Sequence, residues 1–352
     1  MDSDGFHPQY HLMSWALSCL SLREHYNNVV FYTDSNGYNI FIDLLKLPYT
    51  DVVVQYDDLP CPDVHWAYPK LFTYSLQKEP FIHVDGDIHF SCRLDASIES
   101  GALIAQNMEM GTQYYKGMMN DLLRRDYRMP EFLRKALERD AILSYNAGFL
   151  GGNDLDFIQE YCRIAFQFID DNGLLDYHSH NISVNNNLLF EQTLFAALAE
   201  ERGKKVTSVF DMVVPDNGYD YFRFCDFYRF EEVKFLHLLG GHRRNLRICE
   251  LLGKTLLDRY PEYYKRIVEL FPQNNKRLGN VKQTPPDMTI QKCIALYQDY
   301  LCDRIADWKD LSTITFYDWE KRLSAYPRFI NADRERQSAC IIGKNPYLCV
   351  CV

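Results

Sequence analysis

The stretch Phe81-Ile-His-Val-Asp85-Gly86-Asp87 has the residue types and spacing that could do chemistry. A short apolar run that favours a β-strand ends at two carboxylates flanking one glycine. Because alternate side chains of an extended chain share a face, Asp85 and Asp87 can point at one object. Gly86 lets the backbone approach that object closely. Two carboxylates at the end of a buried strand suit Mg²⁺ or Mn²⁺ holding a diphosphate.

The alternative interpretation of Asp85-Gly86-Asp87 is a surface turn without a ligand, since these residue types are common in turns. The flanking residues argue against it, because Ile88 and Phe90 continue the apolar character. Carboxylates inside an apolar run cost free energy unless they are paired or bind a metal. The pair therefore requires partners from elsewhere in the chain.

Two later segments offer such partners. The first contains Asn146-Ala147-Gly148 followed by Gly151-Gly152, and its glycines predict close backbone approach to a ligand or to another strand. In the second, an apolar strand delivers His237, and a turn beginning at Gly240 leads to Arg243. Taken singly, His237 is more often a core histidine and Arg243 a surface charge at the start of a helix.

Further candidate residues follow predicted strands or lie on predicted helices. Asp34 follows the first predicted strand, and Lys70 lies on the helix that precedes Asp85. Glu191 and Gln192 lie near the start of a later helix, where they could equally be ordinary helix-start residues. Asp154 is placed to cap the helix that follows it.

The elements that must position these residues alternate at short spacing. Such alternation predicts an α/β domain with a mostly parallel central sheet and helices on both faces. The predicted order is helix 10–22, strand 29–33, helix 38–45, strand 52–56, helix 66–77 and a strand reaching 84. The sequence opens with a helix, although a nucleotide-binding domain of this class normally opens with a strand.

The chain divides on composition into an α/β domain over 1–245 and a helical C-terminal extension and tail over 246–352. Helices are predicted at 246–259, 262–271, 288–308 and 314–325, interrupted by prolines. The charged segment 110–140 is predicted to be an insertion or lid. Loops of this kind often carry the residues that decide specificity.

Charge and cysteine usage restrict the possible partners and compartment. A formal net charge of −10 argues against broad contact with nucleic acid or anionic lipid. Apolar runs stay below the roughly 18 residues that span a membrane, and a signal peptide is not evident. Eleven cysteines without a Cys-x-x-Cys pair predict free thiols in a reducing compartment, which is typical of a cytoplasmic protein.

The combination of motifs resembles glycosyltransferases of the GT-A fold, especially the family 8 type that includes galactosyltransferases and glycogenin. Asp85-Gly86-Asp87 matches the family's Asp-x-Asp, and Asn146-Ala147-Gly148 matches its Asn-x-Gly. His237-x-x-Gly240-x-x-Arg243 matches its His-x-x-Gly-x-x-Lys, with Arg in place of Lys. The order also resembles an uncharacterised bacterial glycosyltransferase-like family with the layout HVDGD…NAGFxGG…HLxGxxK. The likeness covers about residues 10–245.

The resemblance implies metal-dependent sugar transfer from a nucleoside diphosphate sugar to a carbohydrate or other hydroxyl acceptor. It assigns Mn²⁺ or Mg²⁺ to three ligands, with one carboxylate also contacting donor ribose, and it implies retention of anomeric configuration. The metal ligands would be Asp85, Asp87 and His237; the substrate-binding residues would be Asp34, Lys70, Asp85, Asn146, Ala147, Gly148, Gly240 and Arg243. Gln192 or Glu191 would lie beside the anomeric carbon. For an inverting reaction, Glu191 or Asp154 would be the base.

Two other classes of function fit parts of the sequence. A degenerate GT-A fold that serves as a non-catalytic binding or scaffold protein would explain the unexpected opening helix. A metal-dependent nucleotidyltransferase or phosphohydrolase also uses paired carboxylates. The segments around Asn146 and His237 favour sugar transfer over that last class.

Overall fold

Helices and short strands alternate along the chain in the computed structural model, which describes residues 7–61, 65–111, 117, 127–175, 186–216, 218–272, 341–342 and 350–351. The helices are α1 (Pro8–His25), α2 (Ser35–Gly37), α3 (Tyr68–Leu76), α4 (Ala96–Glu99), α5 (Glu131–Leu137), α6 (Leu155–Asp171), α7 (Leu194–Glu201), α8 (Tyr219–Phe222), α9 (Leu246–Arg259) and α10 (Pro261–Leu270). The π-helical segments are Tyr38–Leu44 and Leu188–Thr193, and the 3₁₀ segments are Phe227–Glu232 and Gly240–Arg244. The predicted mixture of helices and strands is confirmed.

The strands form several small sheets. They are β1 (Val30–Thr33), β2 (Asp51–Val54), β3 (Phe81–Val84), β4 (Ile88–Phe90), β5 (Leu103–Ala105), β6 (Met108–Gly111), β7 (Ile142–Tyr145), β8 (Phe149–Gly152), β9 (Val206–Ser208), β10 (Val214–Pro215), β11 (Phe235–His237), β12 (Ile341–Ile342) and β13 (Val350–Cys351). The four-stranded sheet has the order β3-β8-β5-β9, in which β8 is antiparallel to β3 and β5 while β9 is parallel to β5.

Pairing among the described strands is mixed rather than mostly parallel. Parallel pairs join β1 to β2, β6 to β10 and β5 to β9. Antiparallel pairs join β3 to β8, β4 to β11 and β12 to β13. One further long antiparallel ladder forms because β5 and β6 run in succession against β7 and β8. Strands of alternating direction do not need the long crossover that a parallel pair requires.

The long ladder is interrupted where polar residues face each other. Between its two halves, the backbone N–H of Gln106 donates to the carbonyl of Asn146, and that of Asn146 donates to Asn107. Gly151 and Gly152 lie in β8 between β3 and β5, so their close neighbours are strands. Irregularities of this kind often re-aim side chains next to functional sites.

Helix α1 confirms the predicted opening helix and lies against β4, α9 and α10. Its Leu17 belongs to a buried cluster that also contains Leu252, Leu256 and Ile267. Contacts divide the chain into two compact units, Met1–Asn275 and Lys276–Val352. The predicted boundary at residue 245 therefore falls inside the first unit, because α9 and α10 cover an apolar face of α1.

Several predictions fall partly or wholly outside the described residues. They include the helices at 288–308 and 314–325 and much of the predicted lid at 110–140, of which β6 and α5 are described. Six described cysteines are free, and four of them, Cys19, Cys162, Cys225 and Cys249, are buried. Within the described part of the chain, every helix is too short or too polar to cross a bilayer.

Candidate metal centre

The turn that joins β3 to β4 brings Asp85 and Asp87 to strand β11. The carbonyl of Asp85 accepts from the N–H of Ile88 at 3.1 Å, and that of Asp87 accepts from Leu238 at 2.9 Å. Since β11 pairs antiparallel with β4, His237 lies opposite Ile88. One ligand atom from each of Asp85, Asp87 and His237 lies within 4.8 Å of the others. Residues far apart in sequence thus form a compact oxygen and nitrogen donor set.

Each carboxylate in this set has its own cation. Nζ of Lys70 lies 2.9 Å from Oδ1 of Asp85. A guanidinium nitrogen of Arg243 donates to Oδ2 of Asp87, and Nε of the same side chain donates to the carbonyl of Leu238 at 3.2 Å. Nε2 of His83 lies 2.8 Å from Oδ1 of Asp85. The two carboxylates are therefore ionised and oriented without any added ion.

Burial and these cations act in opposite directions on both aspartates. Burial would raise the pKa of Asp87, but Arg243 and then His237 outweigh it and hold the pKa well below its ordinary value. Burial also opposes ionisation of Asp85, while Lys70 and then His83 hold its pKa below the usual range. Both side chains are therefore ionised at neutral pH and can serve as anionic metal ligands.

The orientation of His237 suits metal ligation. Its Nδ1 lies 2.6 Å from Oε1 of Gln106, an oxygen that can only accept, so Nδ1 carries the proton. Nε2 lies 3.2 Å from Oδ1 of Asp87, and in the neutral ring it carries the lone pair that ligates a metal. That oxygen is buried and has no hydrogen-bond partner among the described residues. Two facing acceptors need a shared cation or a second imidazole proton, so the donor set fits a divalent metal.

Glu191 joins the site through Lys70. It lies in the π-helical segment Leu188–Thr193, which runs directly into α7. Its Oε1 lies 2.9 Å from Nζ of Lys70, so that ammonium group bridges Glu191 and Asp85. The side chain of Glu191 is fully buried, and burial, opposed by Lys70, raises its pKa to about 7. Single π-helical turns are frequent at functional sites.

Asn146 holds a turn beside His237. Its Oδ1 accepts from the N–H of Gly148 at 2.9 Å, and its Nδ2 donates to Oε1 of Glu109 at 3.0 Å and to the hydroxyl of Tyr219 at 3.0 Å. A Cβ added at Gly148 would lie 2.6 Å from Cε1 of His237, so only glycine fits without displacing the imidazole. Asn146 therefore serves the local structure with all three of these bonds.

Helix α1 supports the acidic turn from one side. The hydroxyl of Ser14 donates to the carbonyl of Gly86 at 3.3 Å, and Ser18 donates to that of Asp85 at 3.5 Å. The indole of Trp15 packs so closely that a Cβ at Gly86 would lie 2.5 Å from the ring. The glycine between the two carboxylates is thus required by a helix that the sequence did not connect with the site.

The remaining predicted site residues differ in position. The carbonyl of Ala147 accepts from Lys70 at 3.4 Å, and Gly240, with φ of 45°, begins the 3₁₀ segment that carries Arg243. Gln192 is buried beside Glu191. Two others are engaged locally instead: Asp34 accepts from the N–H of Gly37 at 2.6 Å, and Asp154 caps α6 and pairs with Lys204 at 2.6 Å.

Sequence reasoning missed four residues that touch the site: His83, Gln106, Glu109 and Tyr219. His83 could have been found, because it lies two residues before Asp85 on an extended run and so shares its face. The other three depend on the interrupted ladder and on α8, for which the sequence gives no local signal. His89 was also missed; burial lowers its pKa to about 3, so it is a neutral imidazole in the core.

No curated protein matches this chain. No solved structure matches it either. One protein family does match, over residues 2–270, which include every site residue named above and end with α10. Because the match covers well over half of the sequence, the chain belongs to the family described as a family of unknown function (DUF6734).

Proposed function

We propose that this protein is a metal-dependent glycosyltransferase of the GT-A type, acting on a nucleoside diphosphate sugar. One observation carries the proposal: Asp85, Asp87 and His237 converge within 4.8 Å. A guanidinium group from the same motif as His237 contacts Asp87. The three sequence motifs that resemble family 8 meet at this point. Their meeting supports a shared role better than any one motif does.

Asp85, Asp87 and His237 would hold Mn²⁺ or Mg²⁺. Bound there, the metal would stabilise negative charge on a departing diphosphate as a Lewis acid. Arg243, whose side chain is 39% exposed, can turn from Asp87 toward that diphosphate and bind it in bidentate fashion. The leaving group would then receive positive charge from the protein as well.

Lys70 and Glu191 would act mainly by positioning. The ammonium group of Lys70 lies between two carboxylates and is only 13% exposed, so it orients Asp85 rather than reaching for phosphate. Glu191 fixes Lys70 and brings the neighbouring Gln192 to the sugar side of the site. Asp154 is committed to α6 and Lys204, which leaves Glu191 and Gln192 as the residues proposed near the anomeric carbon, with retention.

The test is a thermal-shift titration with Mn²⁺ and a panel of nucleoside diphosphates on wild type and Asp87→Asn. A ligand that binds the native state raises the melting temperature with concentration. We expect a metal-dependent rise with one nucleotide in wild type and none in Asp87→Asn. Asp95→Asn, a surface carboxylate paired with Lys234, is the matched control and should behave as wild type.

His237→Gln is a second variant in case loss of Asp87 impairs folding. The absence of any nucleotide-dependent shift in wild type would overturn the enzyme proposal. It would favour a non-catalytic protein that keeps this fold. One feature supports that alternative: three carboxylates (Asp85, Asp87, Glu191) meet two cations (Lys70, Arg243), a formal balance of −1 that is nearly neutral without a metal.

A further inference from the structure

Trp66 is an exposed tryptophan beside the candidate metal centre. It is 43% exposed, so part of the indole is open to solvent. Nζ of Lys70 lies 5.1 Å from the centroid of its ring and 2.9 Å from Oδ1 of Asp85. The indole therefore stands one side chain away from a proposed metal ligand.

The backbone on both sides of Trp66 is anchored. Nε2 of His65 lies 2.7 Å from the carbonyl of Leu174, and the N–H of Ala67 donates to Oδ1 of Asn187 at 3.1 Å. His65 is 5% exposed and Ala67 is fully buried. A tryptophan held between two buried, hydrogen-bonded residues is presented to solvent by the fold. Its exposure is not that of a loose loop.

The position of the indole selects the part of the ligand that it would meet. Arg243 and His237 act on Asp87, which is where the diphosphate would be drawn. Trp66 instead contacts the ammonium group that joins Asp85 to Glu191. Glu191 and Gln192 are the residues proposed near the anomeric carbon, so the ring adjacent to Trp66 would be the sugar.

We infer that the indole face of Trp66 not occupied by the Lys70 ammonium group is a stacking platform for the pyranose ring of the transferred sugar. The electron-rich face of an indole attracts the electron-poor C–H groups on one face of a pyranose. Stacking of this kind selects a hexose by the face that it presents, while the metal and Arg243 bind any nucleoside diphosphate. The inference rests on the proposed function and adds a residue that determines sugar specificity.

The test measures affinity for a nucleoside diphosphate hexose and for the matching nucleoside diphosphate, both with Mg²⁺, by titration calorimetry. The probes are UDP-glucose, UDP-galactose, UDP-N-acetylglucosamine and GDP-mannose, with UDP and GDP. We expect Trp66→Ala to weaken binding of the sugar nucleotide by about two- to tenfold. Affinity for the nucleotide alone should stay within about twofold of wild type, since the sugar supplies the contact.

Two further variants make the result specific. Trp66→Phe keeps an aromatic face and should retain part of the sugar preference. In ¹⁹F spectra of protein labelled with 5-fluorotryptophan, the signal that this variant lacks is that of Trp66. That signal should move with the sugar nucleotide and much less with the nucleotide. Tyr228→Ala removes another exposed aromatic side chain, which is 53% exposed, and should change neither affinity.

The outcomes separate the inference from the proposed function. If wild type binds both ligands and Trp66→Ala binds each of them as tightly as wild type does, the platform is wrong and the transferase proposal stands. If Trp66→Ala weakens both equally, the indole meets the nucleotide, and the sugar assignment is wrong. If wild type binds neither ligand with Mg²⁺ or Mn²⁺, the proposed function fails and the platform fails with it.

Discussion

Glu191 is a buried carboxylate that faces one cation, and the balance between burial and that cation makes its charge depend on pH. The ammonium group of Lys70 stabilises the ionised form, while full burial of Glu191 raises its pKa to about 7. Its Oε2 has no hydrogen-bond partner among the described residues. When an acidic group has a higher pKa in the folded than in the unfolded state, the protein loses stability as pH rises between those two pKa values.

Glu191→Gln should therefore change the pH dependence of stability. Near pH 5 both proteins hold a neutral side chain at this position in the folded state, and their free energies of unfolding should be similar. As pH rises toward about 7, Glu191 is ionised in the unfolded wild type but stays protonated in the folded protein, a cost that glutamine lacks. We expect the free energy of unfolding of the variant to exceed that of wild type by about 1–3 kcal/mol at pH 8. Urea unfolding at both pH values measures it, and a difference independent of pH would contradict the explanation.

The residue types at the site were predictable, but their contacts were predictable only in part. Asp85, Asp87, His237 and Arg243 lie together as the motifs indicate. Asp154 was proposed for chemistry, yet its geometry is that of a helix cap paired with Lys204. An N-cap and a catalytic base use the same residue type at the start of a helix, so sequence alone cannot separate them.

At the scale of elements, the acidic turn depends on α1 as much as on its own strands. Two serines of α1 donate to carbonyls in the turn, and the indole of Trp15 occupies the space where a side chain at position 86 would project. The hydrophobic pattern predicted that α1 is a helix. It did not predict what α1 would touch, because hydrogen bonds from serine to a distant backbone leave no periodic signal.

Gly86→Ala should expose this dependence on α1. The added methyl group would lie 2.5 Å from the Trp15 ring, so either the turn or the indole must move. We expect a loss of about 1–3 kcal/mol in the free energy of unfolding, as for other overpacked sites. Chemical denaturation of Gly86→Ala, Trp15→Leu and the double variant forms the test. The two losses should be less than additive, and strict additivity would show that the two positions are not coupled.

Strand positions were easier to predict than strand pairing. Single apolar runs located β1, β3 and β11 to within a residue or two at their ends. The mixed pairing arises because β8 lies between β3 and β5 and runs against both. Pairing partners are set by contacts between distant segments, and the alternation of helices and strands does not specify them.

At the scale of the whole molecule, the C-terminal helices α9 and α10 complete the domain that α1 begins. Leu252 and Leu256 of α9 and Ile267 of α10 lie in the same buried cluster as Leu17 of α1. The first compact unit ends at Asn275, and the family match ends at residue 270. Composition suggested a boundary at 245 because the chain turns fully helical there, although a change of element type is not a change of domain.

Two truncated proteins test where the domain ends. A protein ending at residue 275 keeps α9 and α10, which pack against α1, and should unfold cooperatively. One ending at residue 245 lacks α9 and α10 and leaves Leu17 and its neighbours without their partners. We expect the shorter protein to be insoluble or to bind a hydrophobic dye as a loosely packed state does. Cooperative unfolding of the shorter protein, followed by circular dichroism, would place the domain boundary before α9.

The packing of α1 against α9 also sets an order of events during synthesis. Leu17 leaves the ribosome long before Leu256, and the two meet in the finished core. At about 5–20 residues per second, the interval is on the order of ten to fifty seconds. Throughout this interval, the 18-residue helix α1 lacks the contacts with α9 that help to bury it in the folded protein. Helix α1 and the acidic turn can therefore meet early in synthesis, whereas the contacts of α1 with α9 form only after Leu256 has emerged.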